Sequence, residues 1–132
     1  MADDCPFCSR IALGEIGSAT RLSAAFPDAF PLAEGHTLVV SRRCVASYFD
    51  LDADEQRDLW ELVARVRASL SDSLDCDGWN VGINDGVSAG QTVAHVHVHL
   101  IPRRRNDVPD PRGGVRWVLP ARAAWWRAER EA

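Results

Sequence analysis

Histidine recurs at every second position in the run Gly90-Gln91-Thr92-Val93-Ala94-His95-Val96-His97-Val98-His99-Leu100-Ile101. Successive side chains of a β-strand point to opposite faces, so this alternation predicts a strand over residues 95–101. The three histidines would then share one face, while the apolar residues between them pack on the other. Because imidazole is polar and titrates near neutrality, three of them in register indicate a functional cluster more than a filled core.

The residues alone leave three interpretations of this strand open. A half-exposed strand can use histidine simply as its polar residue. Alternatively, the three imidazoles bind a metal ion, or one neutral imidazole acts as a covalent nucleophile. The preceding segment, residues 84–92, is rich in small residues, turn formers and neutral donors. Such a loop suits a hairpin connection, but directly before the histidines it favours a phosphate held beside a nucleophile.

The rest of the chain predicts an α+β fold with a mainly antiparallel sheet. The strongest helical pattern runs from about Asp52 to Leu74, with Asp52 and Glu55 as a capping pair. We expect a short helical turn over 8–16 and a strand over 79–84. Extended pieces are expected over 19–25, 28–32 and 36–41, where proline and glycine separate them. Residues 103–114 are expected to form a loop, and 121–131 a short terminal helix.

Length and composition limit the function further. The 132 residues suit one domain, 1–132, and the formal charge of −4 argues against a globally basic nucleic-acid binder. The chain has no lysine, which excludes lysine Schiff-base chemistry and a Walker-type phosphate loop. Its apolar runs are too short to cross a bilayer, so we expect no membrane association. No export signal precedes Cys5, so we expect a cytoplasmic protein whose four cysteines are reduced thiols or metal ligands.

The histidine run resembles the signature of the histidine-triad (HIT) family, in which three histidines alternate with apolar residues. The resemblance extends to Gly35-His36-Thr37-Leu38-Val39-Val40, which is similar to the family's upstream strand, and to the N-terminal Cys5-Pro6-Phe7-Cys8. It covers a core of about residues 5–103, and leaves 104–132 as a C-terminal loop and short helix. The resemblance implies a five-stranded, mainly antiparallel sheet with one long helix and a short N-terminal helix.

The resemblance also implies roles for individual residues. His97 matches the nucleophile that attacks the α-phosphorus of a nucleotide, and His99 matches the position beside the leaving group. His36 matches the histidine that supports this cluster. Four further residues match positions that contact the nucleotide: Asp28 at the ribose, Asn84 at the phosphate, and Gln91 and Thr92 in the phosphate loop.

A structural zinc site is a further implication. Cys5 and Cys8 are spaced like half of a tetrahedral site, which needs two more ligands. In zinc-bearing bacterial relatives the other two ligands are a histidine, at the position of Cys44, and the first triad histidine, here His95. Thiolate is an equally good zinc ligand, so we expect zinc on Cys5, Cys8, Cys44 and His95. The alternative is a set of buried free thiols without metal.

The resemblance therefore predicts an enzyme that cleaves the α-phosphate bond of a nucleotide conjugate through a nucleotidyl-histidine. Dinucleoside polyphosphates and nucleoside phosphoramidates are the implied substrate classes, with AMP or another mononucleotide as product. The histidine run is most similar to the branch that cleaves diadenosine polyphosphates, whereas the N-terminal cysteines are more similar to bacterial general-purpose members, so both branches stay open. The resemblance implies that no catalytic metal is required and that the protein forms a homodimer, as family members usually do. Two alternatives remain: a metallohydrolase that binds metal on His95, His97 and His99, and a nucleotide-binding adaptor with little turnover.

Overall fold

The computed structural model describes residues 4–127, and in this part of the chain five strands form one sheet. The elements follow in the order α1 (Pro6–Ala12), β1 (Ser18–Ala19), β2 (Ser23–Pro27), β3 (Thr37–Ser41), α2 (Ala53–Ser73), β4 (Gly78–Ile83), β5 (His97–Arg103) and α3 (Pro120–Ala123). The strand order is β1-β2-β3-β5-β4, and all neighbours are antiparallel. The predicted α+β class and the five-stranded antiparallel sheet are therefore confirmed.

The long helix α2 covers one face of the sheet. Its N-terminus has the predicted capping box, since the Asp52 carboxylate accepts from the Glu55 N–H and the Glu55 carboxylate accepts from the Asp52 N–H. The buried stripe of α2 packs against strand residues that point toward the helix. These core residues include Ala25, Val39, Leu59, Leu62, Val63, Val66, Val98 and Leu100.

The other face of the sheet carries the short helix α1. The helix begins at Pro6, earlier than the predicted 8–16, because proline suits the first helical position and Cys5 precedes it as N-cap. Phe7 is buried there with Phe26, Leu38 and Val40. In the register, Leu38 lies opposite His99 and Val40 opposite His97. Since paired residues share a face, both histidines point to the side of α1, away from α2.

Several other predicted segments differ from the structure, including residues 19–25, which divide into the end of β1, a bend and the first part of β2. Residues 28–32 form a turn instead of an extended piece, because the Asp28 carboxylate accepts from the Phe30 N–H at 2.8 Å. β5 begins at His97 instead of 95, and the Val96 N–H donates to the carbonyl of Val45 outside the sheet.

The tail also differs from its prediction. The helix expected over 121–131 covers only Pro120–Ala123 among the described residues, and residues 128–131 lie outside them. The Arg116 side chain donates to the carbonyls of Arg122 and Ala123, so these carbonyls at the end of α3 bond to a guanidinium. Among residues 4–127, no helix is long and apolar enough to traverse a lipid bilayer.

The packing of α2 predicts a large effect of truncation at its centre. Leu59 is fully buried between the helix and the sheet, so Leu59→Ala should lower the free energy of unfolding by about 2–5 kcal/mol. Leu13 is 70% exposed, and Leu13→Ala is the matched control, with a change of less than about 1 kcal/mol. Urea denaturation measures both variants. Equal losses at the two positions would contradict this packing.

Candidate functional site

A cavity of about 720 Å³ lies over the face of the sheet that carries the histidines. It is bounded by α1, by the loop between β2 and β3, by β4 and β5, and by residues of the tail. It brings together six of the predicted site residues: Asp28, His36, Asn84, Thr92, His97 and His99. Its volume falls in the range of pockets that bind small molecules and cofactors.

The register of β5 makes room for a ligand above the histidines. His99 lies opposite Gly82 of β4, so no side chain stands beside its ring on that strand. A Cβ atom added to Gly82 would meet nothing within 4 Å. On the other side, β3 places Leu38 opposite His99. The cavity therefore extends over Gly82 beside His99, and Leu38 bounds it on the side of β3.

His97 is held in one tautomer by the backbone. Its Nδ1 lies 2.8 Å from the carbonyl oxygen of His95, and because a carbonyl can only accept, Nδ1 must carry the proton. The neutral ring therefore has its lone pair on Nε2. The edge-to-face contact with Phe7, at 4.9 Å between ring centroids, fixes the orientation of the ring. In its neutral form, His97 thus presents the Nε2 lone pair on a fixed ring that lines the cavity.

A second chain of hydrogen bonds sets the tautomers of His36 and His99. The Leu32 N–H donates to His36 Nδ1 at 3.1 Å, so a neutral His36 carries its proton on Nε2. That nitrogen lies 3.0 Å from His99 Nδ1 and 3.4 Å from the Asp28 carboxylate. When His36 donates to His99, a neutral His99 carries its own proton on Nε2. His99 is therefore a hydrogen-bond donor on the nitrogen that His36 does not contact.

Burial keeps both of these histidines neutral near pH 7. Burial lowers the pKa of His36, and the nearby Asp28 carboxylate opposes this by a smaller amount. Burial also lowers the pKa of His99, assisted by His97 and His36 and again opposed by Asp28. A negatively charged ligand in the cavity would act as Asp28 does and raise the pKa of both rings.

Four predicted metal ligands meet beneath the histidine strand. The ligand atoms of Cys5, Cys8, Cys44 and His95 all lie within 4.8 Å of one another. His95 Nε2 lies 2.6 Å from the Ser41 carbonyl and so carries the proton. Its unprotonated Nδ1 then faces the sulfurs of Cys5 and Cys8, at 3.2 and 3.6 Å. Three sulfurs and one imidazole nitrogen in the right tautomer fit a tetrahedral metal site.

A bound cation would change the ionisation of the Cys8 thiol. Burial, together with hydrogen bonds to Cys44 and Cys5, raises the pKa of the Cys8 thiol to about 12. Burial also lowers the pKa of His95, which keeps this ring neutral and able to bind a metal. A divalent cation stabilises thiolates, so a bound metal would reverse the effect on Cys8.

The geometry does not favour a catalytic metal on the three strand histidines. The Nδ1 atoms of these rings point to three different partners: cysteine sulfurs for His95, a carbonyl for His97 and a ring nitrogen for His99. Asp28, His36 and His99 also lie close enough to one another to hold an ion. However, His36 Nε2 carries a proton as long as Leu32 donates to Nδ1, and a protonated nitrogen has no lone pair for a metal.

The structure does not bring the Gln91 side chain to the cavity. Its amide oxygen accepts from the Gly86 N–H at 2.8 Å, and its amide nitrogen donates to the carbonyls of Ala46 and Val93. These bonds tie the ends of the 84–92 loop together. Gly90 and Thr92 on either side of Gln91 do line the cavity. Gln91 therefore stabilises the loop conformation that places Gly90 and Thr92 at the cavity.

Sequence reasoning missed several contributors to the site. The Leu32 N–H sets the tautomer of His36, and a backbone group leaves no signal in the sequence. Phe7 contacts both His95 and His97, and its place between Cys5 and Cys8 was the available clue. Val115 and Val118 of the tail also line the cavity, although the tail carried no interpretable pattern.

The chain belongs to the HIT domain family, because the model of this domain matches residues 16–106. It is 46% identical over 88 residues to asymmetrical bis(5'-nucleosyl)-tetraphosphatase of Schizosaccharomyces pombe, covering 67% of this chain and 48% of that protein. It is 40% identical over 97 residues to bis(5'-adenosyl)-triphosphatase of Dictyostelium discoideum, covering 74% of this chain and 65% of that protein. The chain thus spans about half to two thirds of the length of these relatives.

Among solved structures, a Zn-bound histidine triad family protein from Mycobacterium smegmatis superposes with a TM-score of 0.72. It is 29% identical, and the match covers 83% of this chain and 86% of that one. The fold and family are thereby established, and both relatives named above are nucleotide hydrolases by name.

The electrostatics of the cavity predict the effect of removing the Asp28 charge. Asp28→Asn should lower the pKa of both His36 and His99, because the carboxylate raises both. Asparagine still accepts from the Phe30 N–H, so the turn is kept. NMR titration of the histidine rings measures the shifts, with Asp72→Asn on the exposed surface of α2 as control. Unchanged or raised pKa values in Asp28→Asn would contradict this account.

Proposed function

We propose that the protein is a nucleotide hydrolase or nucleotidyl transferase that works through a nucleotidyl-histidine intermediate on His97. The observation that carries this proposal is the hydrogen bond from His97 Nδ1 to the His95 carbonyl. It leaves the Nε2 lone pair of a neutral ring available at the cavity, next to His99. An unprotonated imidazole nitrogen is a competent nucleophile at neutral pH.

The first step transfers the nucleotidyl group to the enzyme. His97 Nε2 attacks the α-phosphorus, a P–N bond forms, and the bond from phosphorus to the leaving group breaks. The bound phosphates raise the pKa of His99, and the proton that this ring binds with the substrate goes to Nδ1. The Asp28 carboxylate, 3.4 Å from His36 Nε2 and 3.9 Å from His99 Nδ1, then accepts from both rings, and His99 gives its Nε2 proton to the leaving group. In the second step water attacks the same phosphorus, His99 Nε2 takes the proton from that water, and the P–N bond breaks. The products are a nucleoside monophosphate and the free enzyme.

The remaining predicted residues bind the substrate in this scheme. Asp28 accepts hydrogen bonds from the ribose hydroxyls, Asn84 and Thr92 donate to phosphate oxygens, and His36 positions His99 through its Nε2 proton. The hydrogen bonds of the Gln91 amide stabilise the conformation of loop 84–92, which contains Asn84 and Thr92. No catalytic metal is required, because neutral imidazole and fixed donors supply the chemistry.

Nucleotide conjugates are the proposed substrates. Dinucleoside polyphosphates are supported by the two relatives that are named as enzymes of this class. Nucleoside phosphoramidates fit the same scheme, since only the leaving atom on phosphorus differs. The product is AMP or another mononucleotide, according to the base.

The intermediate can be trapped. Brief incubation with an α-labelled adenylyl substrate should add one AMP to the wild-type protein, directly or in a His99→Ala variant with slowed hydrolysis. His97→Gly should bind no label and lose activity by at least about three orders of magnitude. Intact mass and peptide mapping measure the adduct. Binding of AMP by the wild type without labelling in either background would instead indicate a binding protein with little turnover.

We also propose that Cys5, Cys8, Cys44 and His95 bind a structural zinc ion. The proposal is supported by their proximity, by the tautomer of His95 and by the Zn-bound relative. The ion would join α1 to the start of β5 and to the segment after β3. Its chemical contribution is to hold these segments together, since four protein ligands leave no open position for substrate.

Zinc content separates this site from a set of free thiols. The wild-type protein should contain about one zinc per chain, and Cys44→Ser should lose most of it and melt at a lower temperature. Cys76 is half-buried and outside the cluster, so Cys76→Ser is the matched control and should keep the metal. Metal analysis and thermal denaturation are the measurements. Equal zinc contents in the two variants would refute the ligand assignment.

Two further expectations remain proposals. A cytoplasmic location is supported by four cysteines that are all free thiols. A homodimer is supported by β4, a six-residue strand at the edge of the sheet that pairs with β5 on one side only. Two copies joined along this edge would form one continuous sheet.

A further inference from the structure

Arg10 is a cation that the scheme above does not use. It lies on α1 and lines the same cavity as the histidines, together with Phe7, Asp28 and Phe30. Among the residues that the structure describes, it is the only arginine in the lining of this cavity. Nothing in the sequence distinguishes Arg10 from the other arginines, because it is one of 15 basic residues in the chain.

Two contacts hold its guanidinium group in place. The central carbon lies 4.3 Å from the centroid of the Phe26 ring, and one terminal nitrogen donates to the Pro27 carbonyl at 2.9 Å. Other arginines are held by carboxylates, as Arg43 is by Glu55 and Arg103 by Asp107. Arg10 has no ion pair of this kind within residues 4–127. Most of its five N–H donors therefore remain available to a ligand.

The direction of a bound nucleotide follows from the proposed function, on which this inference rests. The histidines take the α-phosphate and Asp28 takes the ribose. Asp28 follows Pro27, whose carbonyl is bonded to Arg10. Arg10 is therefore close to the ribose position, and we place the base beside it, where the lining of the cavity includes Phe7 of α1 and the exposed ring of Phe30 in the 28–32 turn.

We propose that Arg10 recognises the O6 and N7 atoms of a 6-oxopurine, so that the protein prefers guanine nucleotides over adenine nucleotides. Guanine presents two acceptors on this edge, and the planar fork of an arginine donates to both. Adenine presents N7 and an amino group, which places a donor against a donor. The contacts with Phe26 and with the Pro27 carbonyl hold the guanidinium group in place, so the in-plane donors that they leave free are preorganised for a base edge.

Binding of three mononucleotides tests this assignment without any need for turnover. Calorimetry should give GMP and IMP affinities about tenfold higher than that of AMP in the wild-type protein. IMP has O6 and N7 but lacks the 2-amino group of guanine, so it isolates the edge that Arg10 would recognise. Arg10→Met should lower the affinity for GMP and IMP by about tenfold and remove most of the preference.

Two other variants complete the design. Arg10→Lys keeps the charge but lacks the fork, so it should bind all three nucleotides with reduced discrimination. Arg65→Met changes an exposed arginine of α2, on the opposite side of the sheet, and should leave all three affinities unchanged. Melting temperatures of the variants confirm that each is folded.

Each contrary outcome has a distinct meaning. Equal affinities for the three nucleotides in the wild type would overturn the base preference alone. Equal weakening of all three by Arg10→Met would overturn it too, and would assign Arg10 to phosphate or ribose. Preference for GMP with IMP bound like AMP would overturn recognition of O6 and N7. Failure of the wild type to bind any of them would overturn the proposed function as well.

Discussion

The hydrogen bond between the His97 ring and the His95 carbonyl connects the two halves of this site. On one side, the His95 side chain is fixed between the Ser41 carbonyl and the sulfurs of Cys5 and Cys8. On the other, its backbone carbonyl determines which nitrogen of His97 is free. The candidate metal cluster therefore lies next to the proposed nucleophile, His97. Any movement of His95 would be transmitted to the reactive ring through a single peptide unit.

The hydrogen bonds from Leu32 to His36 and from His36 to His99 likewise use a backbone group to set the tautomers of the rings. A backbone group that can only donate fixes one nitrogen, and the proton is thereby assigned along the chain of rings. Burial keeps the pKa values of His36 and His99 low until a charged ligand binds. The Asp28 carboxylate raises both values and so limits how far burial lowers them. Both rings are thus neutral in the empty cavity, and in the proposed mechanism the charge of the substrate raises the pKa of His99, so that its Nε2 proton can pass to the leaving group.

The fold serves this site by separating the two faces of the sheet. The packing of α2 against Val39, Val98 and Leu100 supplies the main hydrophobic core, so the opposite face is free to carry polar rings. On that face, α1 and the loop after β2 cover the sheet incompletely, which leaves the cavity over the histidines. Because successive side chains of β5 point to opposite faces of the sheet, the candidate site lies on one face and the main hydrophobic core on the other.

The sequence by itself determined the α+β class, the capped helix α2, the strand that carries His97 and His99, and the family resemblance. These features depend on local periodicity, which is written into consecutive residues. The tertiary structure alone decided the tautomers, the role of Gln91 within its loop, the place of Arg10 and the short tail helix. Each of these depends on a contact between distant segments, such as the Leu32 N–H with His36 or Arg116 with the end of α3. Such contacts have no local signature, because a backbone group looks the same in every sequence and only the packed chain shows which partner it meets.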